Sequence, residues 1–270
     1  MIYMHEENID NKINQNKQNN RKVNGYNNLK NELTNFKNNE YKPFQKKMLA
    51  LSFDPVKKNK SVFQTATNYI NDYYATAKDF SDKYKISAQS KFLSTILEEI
   101  NCYLFKDVPQ IVSGDYGIFN RSVCSGLIIE SGKEIKPLTK DVDFCIGVST
   151  SVSFGDSKPT DVVIPIVAVE VKTYLDATMF GEIKSSAREL QGATPCAKTF
   201  VLSGYNAVKD TPIIVARNQP TPSEIFVLRK DKDSLIDSKV LKQYWASVCS
   251  AIESAASPKP ITTPGKLLHP

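Results

Sequence analysis

The sequence has few histidines, and its cysteines are not spaced as metal ligands. The two histidines, His5 and His269, stand near the two ends of the 270 residues, in segments that we expect to be mobile. The five cysteines are scattered and odd in number, and none belongs to a CxxC pair. A Cys/His zinc site is therefore not expected, and catalysis by a histidine base is disfavoured. Carboxylates and lysines remain as the plausible chemical groups.

Long apolar runs are absent as well. No stretch reaches the roughly 20 apolar residues that a membrane-spanning helix needs, and the N-terminus is polar from Glu6 onward, unlike a secretory signal peptide. We therefore expect a cytoplasmic protein with no membrane contact. The net charge of +6 permits a polyanionic partner without requiring one.

Composition predicts three regions. Residues 1–47 are rich in Asn and Lys and lack clear periodicity, so we expect a flexible or loosely helical extension. Its excess of Lys and Arg reflects either biased composition or a basic arm that grips phosphates. Residues 48–256 should form the folded domain, and the Pro-rich residues 257–270 an irregular tail.

Apolar spacing of three and four residues predicts helices over 61–80 and 87–105. Short β-rich segments follow near 125–130, 142–148 and 162–173. Asp176 is expected to cap a helix through Gln191. The remaining predicted elements are strands at 199–202, 213–216 and 225–228 and a helix over 234–252. This order favours an α/β (α+β) fold with a mixed central sheet flanked by helices.

Two charged residues interrupt the apolar segment 162–173. Side chains alternate across a strand, so Glu170 and Lys172 should share one face while Val169 and Val171 occupy the other. A carboxylate and an ammonium placed in such a strand need a partner or a metal to offset their desolvation. An isolated ExK of this kind is often only a surface ion pair. Here, however, an apolar strand bearing Asp141 and Asp143 precedes it.

The two strands together predict a metal site. If they pair, their carboxylates converge into an all-oxygen pocket, which suits Mg²⁺ better than zinc or copper. Asp143, Glu170 and the main-chain carbonyl of Val171 are the expected ligands. Lys172 would orient or help deprotonate a water and stabilise a charged phosphorane.

These residues also carry a family resemblance. Asp143 followed, after a spacer, by Glu170-Val171-Lys172 resembles the PD-(D/E)XK nuclease superfamily. The strings KDVDFCIG and VAVEVKTYLDATM are similar to type II restriction endonucleases, particularly the heterodimeric kind exemplified by BbvCI. The superfamily proline is missing before Asp143, where Val142 stands, which leaves Asp141 open as the ligand. Asp143 is preferred because the apolar Phe144-Cys145-Ile146 follows it directly.

The resemblance covers about residues 85–205 and implies both an activity and partners. It implies Mg²⁺-dependent cleavage of double-stranded DNA that leaves 5′-phosphate ends, by a homodimer or a heterodimer with a related nuclease subunit. A structure-specific repair or recombination nuclease is an alternative. So is a non-catalytic DNA-binding subunit.

Other residues are candidates for additional roles at the site. The string 91–100 is similar to a helix that often supplies one more acidic residue in such enzymes. Glu99 is preferred because it borders the apolar face, whereas Glu98 should point further into solvent. Both can equally be solvated helix charges. Basic residues that could contact DNA, with solvated surface positions as the alternative, are Lys184, Arg188, Arg217, Arg229 and Lys230.

Overall fold

The computed structural model describes residues 3–18, 29–55, 61–87, 90–120, 122–129, 135–153, 159–216 and 221–256. The predicted C-terminal tail, with His269, and the candidate Arg217 lie outside these ranges.

The described N-terminal residues are helical and packed against the core, where a flexible or loosely helical extension was expected. It forms α1 (Met4–Gln18), α2 (Leu29–Phe36), a π-helical segment (Lys37–Tyr41) and α3 (Lys42–Ala50). Apolar residues are sparse there, but those present are buried in the main core: Ile9, Leu33, Phe36, Tyr41, Phe44 and Met48. Tertiary packing thus supplies the order that local composition does not indicate. The expectation that His5 is mobile is wrong, because its side chain is fully buried.

Two longer helices follow and confirm the periodicity. They are α4 (Val62–Lys83) and α5 (Ser94–Phe105), the second beginning later than predicted. Every residue of α5 from Thr95 to Phe105 is buried, so this helix runs through the centre of the protein.

The rest of the chain supplies the sheet and its flanking helices. Its elements are α6 (Pro109–Val112), β1 (Gly117–Phe119), β2 (Ser122–Ile129), β3 (Ile135–Asp141), β4 (Phe144–Val152), β5 (Thr160–Leu175), α7 (Ala177–Ala193), β6 (Lys198–Asn206), α8 (Asp210–Ala216), β7 (Glu224–Val227) and α9 (Ser238–Ala256). The main sheet has the order β1-β4-β5-β6-β7, while β2 and β3 form a separate two-stranded ribbon. The pairs β1/β4 and β4/β5 are antiparallel, and β5/β6 and β6/β7 are parallel. The predicted mixed sheet flanked by helices is confirmed.

The structure differs from the local predictions at several elements, among them α8 and β3. Residues 213–216, expected to be a strand, belong to α8, where Asp210 occupies the first turn and Pro212 suits a helix start. The strand β3 was not predicted, since Pro137 and several polar residues mask its pattern. A proline is tolerated there because β3 lies in a two-stranded ribbon, in which each strand has an unpaired edge.

The alternation along β5 sets the position of the charged residues. Val167, Val169 and Val171 face the main core, which contains α4, α5 and α9. Ala168, on the other face, packs against Leu190 of α7. Glu170 and Lys172 therefore lie on the α7 side, as the two-residue period predicts. No helix within the described ranges has the length and apolar character needed to span a membrane.

Candidate active site

Asp143 lies in the turn between β3 and β4 and reaches the main chain of β5. The two strands pair with Phe144 opposite Val169, so Asp143 comes beside the following residues of β5. Its Oδ2 accepts a hydrogen bond from the Val171 N–H at 2.8 Å. The pairing of β4 with β5 that the sequence analysis required is therefore present, and it holds Asp143 against β5. The two aspartates do not share one strand as expected, because Asp141 ends β3 and Asp143 precedes β4.

Lys172 joins the two predicted carboxylates. Its Nζ donates to Glu170 Oε2 at 3.0 Å and to Asp143 Oδ2 at 3.4 Å. Ser186 of α7 donates to Glu170 Oε1 at 3.4 Å. The side chains of Asp143, Glu170 and Lys172 remain 18%, 22% and 26% exposed, so the cluster is partly desolvated but still reached by solvent.

The electrostatics follow from two carboxylates that share one ammonium. Burial and the charge of Asp143 raise the pKa of Glu170 despite its ion pair. Burial alone would lower the pKa of Lys172, but the charges of Asp143 and Glu170 outweigh it, and the net shift is upward. Lys172 is thus a cation at neutral pH, suited to hold a negatively charged oxygen.

A cavity of about 380 Å³ opens beside Asp143. Its lining comes from the start of α1, the region before α5, α5 itself and the base of the β2–β3 ribbon. The lining residues are Met4, Lys91, Glu98, Asn120, Ser122, Asp141, Val142 and Asp143. Asp143 therefore connects the Glu170–Lys172 pair to an open polar space.

Glu98 supplies a third carboxylate to this space. It is 4% exposed, so the expectation that it points into solvent is wrong. Burial, together with the charge of Asp143, raises the pKa of Glu98 to about 7. The N-terminal helices cover the surface of α5 that was expected to face solvent.

Glu99, which the sequence analysis preferred as the additional acidic residue, faces the N-terminal helices instead. Its Oε2 accepts the backbone N–H groups of His5 at 2.9 Å and Glu6 at 3.2 Å. Its Oε1 accepts the hydroxyl of Tyr41 at 3.0 Å and that of Tyr103. The preference is corrected: Glu99 caps α1, and Glu98 is the glutamate beside Asp143.

Asp141, the alternative to Asp143, ends β3 on the cavity wall. Its carboxylate accepts a hydrogen bond from the Ser122 hydroxyl across the ribbon. Asp143, by contrast, accepts hydrogen bonds from the Val171 N–H and from Lys172 Nζ. The geometry thus favours Asp143 over Asp141 as the partner of the β5 residues.

The oxygen donors of this cluster fit a hard divalent cation. Mg²⁺ usually keeps several waters and binds one or two protein carboxylates, and Asp143 and Glu170 supply two with a single ammonium between them. Within the described ranges, no group of three or more Asp, Glu, His or Cys side chains is arranged to hold a metal. A cation here would therefore depend on two carboxylates, water and a main-chain oxygen, for which the Val171 carbonyl stays the predicted donor.

A family of known enzymes matches the segment that contains this site. The Bpu10I restriction endonuclease family matches residues 89–251, which is more than half of the chain. The chain belongs to this family. The matched segment includes Glu98, Asp143, Glu170 and Lys172, and the resemblance to restriction endonucleases inferred from the sequence is confirmed.

The fold of this restriction endonuclease family member is also similar to a solved structure, described as the native BbvCI A2B2 tetramer at low resolution. The TM-score is 0.73 at 18% identity, over 94% of this chain and 98% of the other. At this identity the likeness concerns the fold, and it agrees with the mixed sheet. No curated protein matches the chain.

The basic candidates occupy unequal positions. Arg229 is only 8% exposed, and its guanidinium lies 4.0 Å from the centre of the Tyr74 ring. Such stacking is a packing use of arginine, so the expectation that Arg229 contacts DNA is not supported by its position. Lys184 is half-buried over the ring of Phe180.

The two remaining described candidates, Arg188 and Lys230, are exposed, and their contacts with DNA stay a prediction. A different basic residue, Lys91, lines the cavity and was not singled out from the sequence. The helical period could not reveal it, because Lys91 precedes α5 and its direction depends on a left-handed backbone conformation.

Proposed function

We propose that the chain is a type II restriction endonuclease that hydrolyses phosphodiester bonds of double-stranded DNA at a specific sequence. Mg²⁺ is the cofactor, and the products carry 5′-phosphate and 3′-hydroxyl ends. Asp143, Glu170 and Lys172 form the cleavage centre, with Glu98 as the additional acidic residue. The observation that carries the proposal is the meeting of Asp143 and Glu170 around the ammonium of Lys172.

The chain's own residues have distinct roles in this reaction. A water oxygen bonds to phosphorus while the P–O3′ bond breaks, and negative charge builds on the phosphate oxygens. Lys172, as an ammonium, stabilises that charge and orients the water. Mg²⁺ held by Asp143, Glu170 and the Val171 carbonyl would neutralise charge and lower the pKa of a bound water. Asp143 is pre-oriented by the Val171 N–H.

Glu98 adds a group that can exchange protons near neutral pH. Its pKa of about 7 lies close to the pH at which proton transfer is most efficient. Because Glu98 lines the same cavity as Asp143, it can exchange protons with water in that space.

Assembly with a second nuclease subunit is part of the proposal. Cutting both strands takes two centres, and the described residues form one. The β2–β3 ribbon exposes Leu127 by 57% and Ile129 by 74%, and their cross-strand neighbours Pro137 and Ile135 are also apolar. Exposed apolar surface of this kind often marks an interface. Light scattering should therefore give a mass above that of a monomer, for the chain alone or with a related subunit.

Digestion of a supercoiled plasmid tests the activity. The wild type with Mg²⁺ should yield discrete fragments or an open circle, and EDTA should prevent this. Glu170→Ala and Lys172→Ala should abolish cutting while leaving DNA binding intact. Glu182→Ala, which removes an exposed carboxylate from α7, is the matched control and should cut normally.

The same digestion separates the competing functions. Discrete bands from a plasmid of known sequence support a restriction enzyme, whereas smears or cutting only at junctions indicate a structure-specific nuclease. Binding without nicking, alone and with related subunits, indicates a non-catalytic partner. A Glu170→Ala protein that cuts at the normal rate would remove the assignment of the cleavage centre.

A further inference from the structure

Lys91 has an unusual backbone conformation on the wall of the active-site cavity. Its φ is 57°, in the left-handed region that costs a residue with a side chain on the order of 1 kcal/mol. Such a conformation persists only where its surroundings hold it in place.

The start of α5 holds this conformation through the Lys91 carbonyl. That oxygen accepts the Thr95 N–H at 3.1 Å, the Thr95 hydroxyl at 3.0 Å and the Ser94 hydroxyl at 3.2 Å. The next residue, Phe92, is 1% exposed in the main core. The backbone of Lys91 is thus fixed by three neighbouring residues, while its side chain is exposed.

The ammonium of Lys91 is available to a ligand. Among the described residues it donates no hydrogen bond and forms no ion pair, yet it lines the cavity with Glu98 and Asp143. Its positive charge lowers the pKa of the Glu98 carboxyl, against the effect of burial. A lysine ammonium binds phosphate as a point charge.

We propose that Lys91 binds a phosphate oxygen of the DNA strand that enters the cavity, next to the phosphate that is cut. The inference rests on the proposed nuclease function and adds to it a DNA-binding residue outside the Asp143–Glu170–Lys172 cluster. Lys91 supplies a positive charge to a cavity lining that also contains the carboxylates of Glu98, Asp141 and Asp143.

Lys85 is a matched control within the same protein. It is also an exposed lysine in the left-handed region, with φ 52°, and it follows the end of α4 rather than lining the cavity. Replacing either lysine with Met removes one charge from the same kind of backbone site. Replacing either with Gly also relieves the conformational strain, so K91G serves if K91M is poorly folded.

The test measures binding of a labelled mixed-sequence duplex by fluorescence anisotropy across a salt series, with Ca²⁺ in place of Mg²⁺. K91M and K91G should weaken binding and reduce the slope of log Kd against log salt by about one, the effect of a lost phosphate contact. K91R should keep the wild-type slope, and so should K85M and K85G.

Each other outcome has a definite meaning. An unchanged slope in both K91M and K91G overturns the inference, even if cutting slows, because Lys91 then acts through Glu98. If the wild type cuts the plasmid but the Lys91 variants keep the wild-type salt slope, the phosphate-binding role of Lys91 is ruled out and the proposed nuclease function stands. A wild type that neither binds nor cuts DNA, alone and with a related subunit, would remove both.

Discussion

Glu98 and Glu99 are adjacent on α5 but face different surroundings. Glu98 lines the cavity beside Asp143, whereas Glu99 accepts hydrogen bonds from His5, Glu6 and two tyrosines. Burial raises the pKa of each carboxyl to about 7. Glu99 has donors that compensate its burial, while the strongest charge acting on Glu98 is that of another carboxylate, Asp143. The burial of Glu98 is therefore accounted for by the role proposed for it beside Asp143.

Glu98→Gln should stabilise the protein at alkaline pH while it slows cleavage. The folded state holds the Glu98 proton up to about pH 7, whereas the unfolded state releases it near the ordinary value. Stability is therefore lost as pH rises through that window and stays lower above it. A rise from 4.5 to about 7 corresponds to about 3 kcal/mol at about 1.4 kcal/mol per pH unit.

Urea unfolding in EDTA at pH 5 and pH 8 measures this effect. The free energy of unfolding of Glu98→Gln should exceed that of the wild type by up to about 3 kcal/mol at pH 8 and by much less at pH 5, because an amide mimics the neutral carboxyl. The pH-dependent contribution of Glu99 to the free energy of unfolding is the same in both proteins and cancels in their difference. Equal destabilisation of the variant at both pH values would contradict the assigned environment of Glu98.

Glu99→Ala should detach the N-terminal helix. It leaves the N–H groups of His5 and Glu6 and the hydroxyls of Tyr41 and Tyr103 without their acceptor, and each unsatisfied buried group costs about 1–3 kcal/mol. We expect a loss of at least about 3 kcal/mol, with hydrogen exchange in α1 rising most. Glu7→Ala, an exposed change on the same helix, should have little effect. Exchange that rises evenly along the chain would contradict an anchoring role.

Glu98 and Glu99 also show which features could be predicted from the sequence and which could not. The period-two pattern of β5 and the apolar run after Asp143 are local signals, and they correctly predicted that Asp143, Glu170 and Lys172 converge. The environment of α5 is a tertiary property, because residues more than 90 positions away cover it. The sparse apolar residues of α1, such as Ile9, gave no local sign of that contact. The position of the Lys91 side chain could not be predicted for a similar reason, since its direction depends on hydrogen bonds that Ser94 and Thr95 donate to the Lys91 carbonyl.

Asn substitutions at Asp143 and Asp141 should separate the two candidate ligands. Asp143 is bonded to Val171 and Lys172, while Asp141 accepts from Ser122. We expect Asp143→Asn to slow plasmid cutting by more than about a hundredfold and Asp141→Asn by about ten- to a hundredfold at most, as for a residue that acts indirectly. Single-turnover rates at saturating Mg²⁺ check this. The reverse order would assign the metal to the end of β3.

Gly204→Ala should disturb the active-site strand through the backbone. A Cβ at Gly204 would lie 2.2 Å from the Thr173 carbonyl oxygen, and neither strand can shift freely because β5 and β6 are paired on both sides of this point. Overpacking typically costs about 1–3 kcal/mol, and the displacement falls next to Lys172. Thermal unfolding and plasmid cutting should both decline. Gly181→Ala in α7, where the added Cβ meets nothing within 4 Å, should instead stabilise the protein by about 0.5–1 kcal/mol. A Gly204→Ala protein that melts and cuts like the wild type would show that β5 and β6 do not approach this closely.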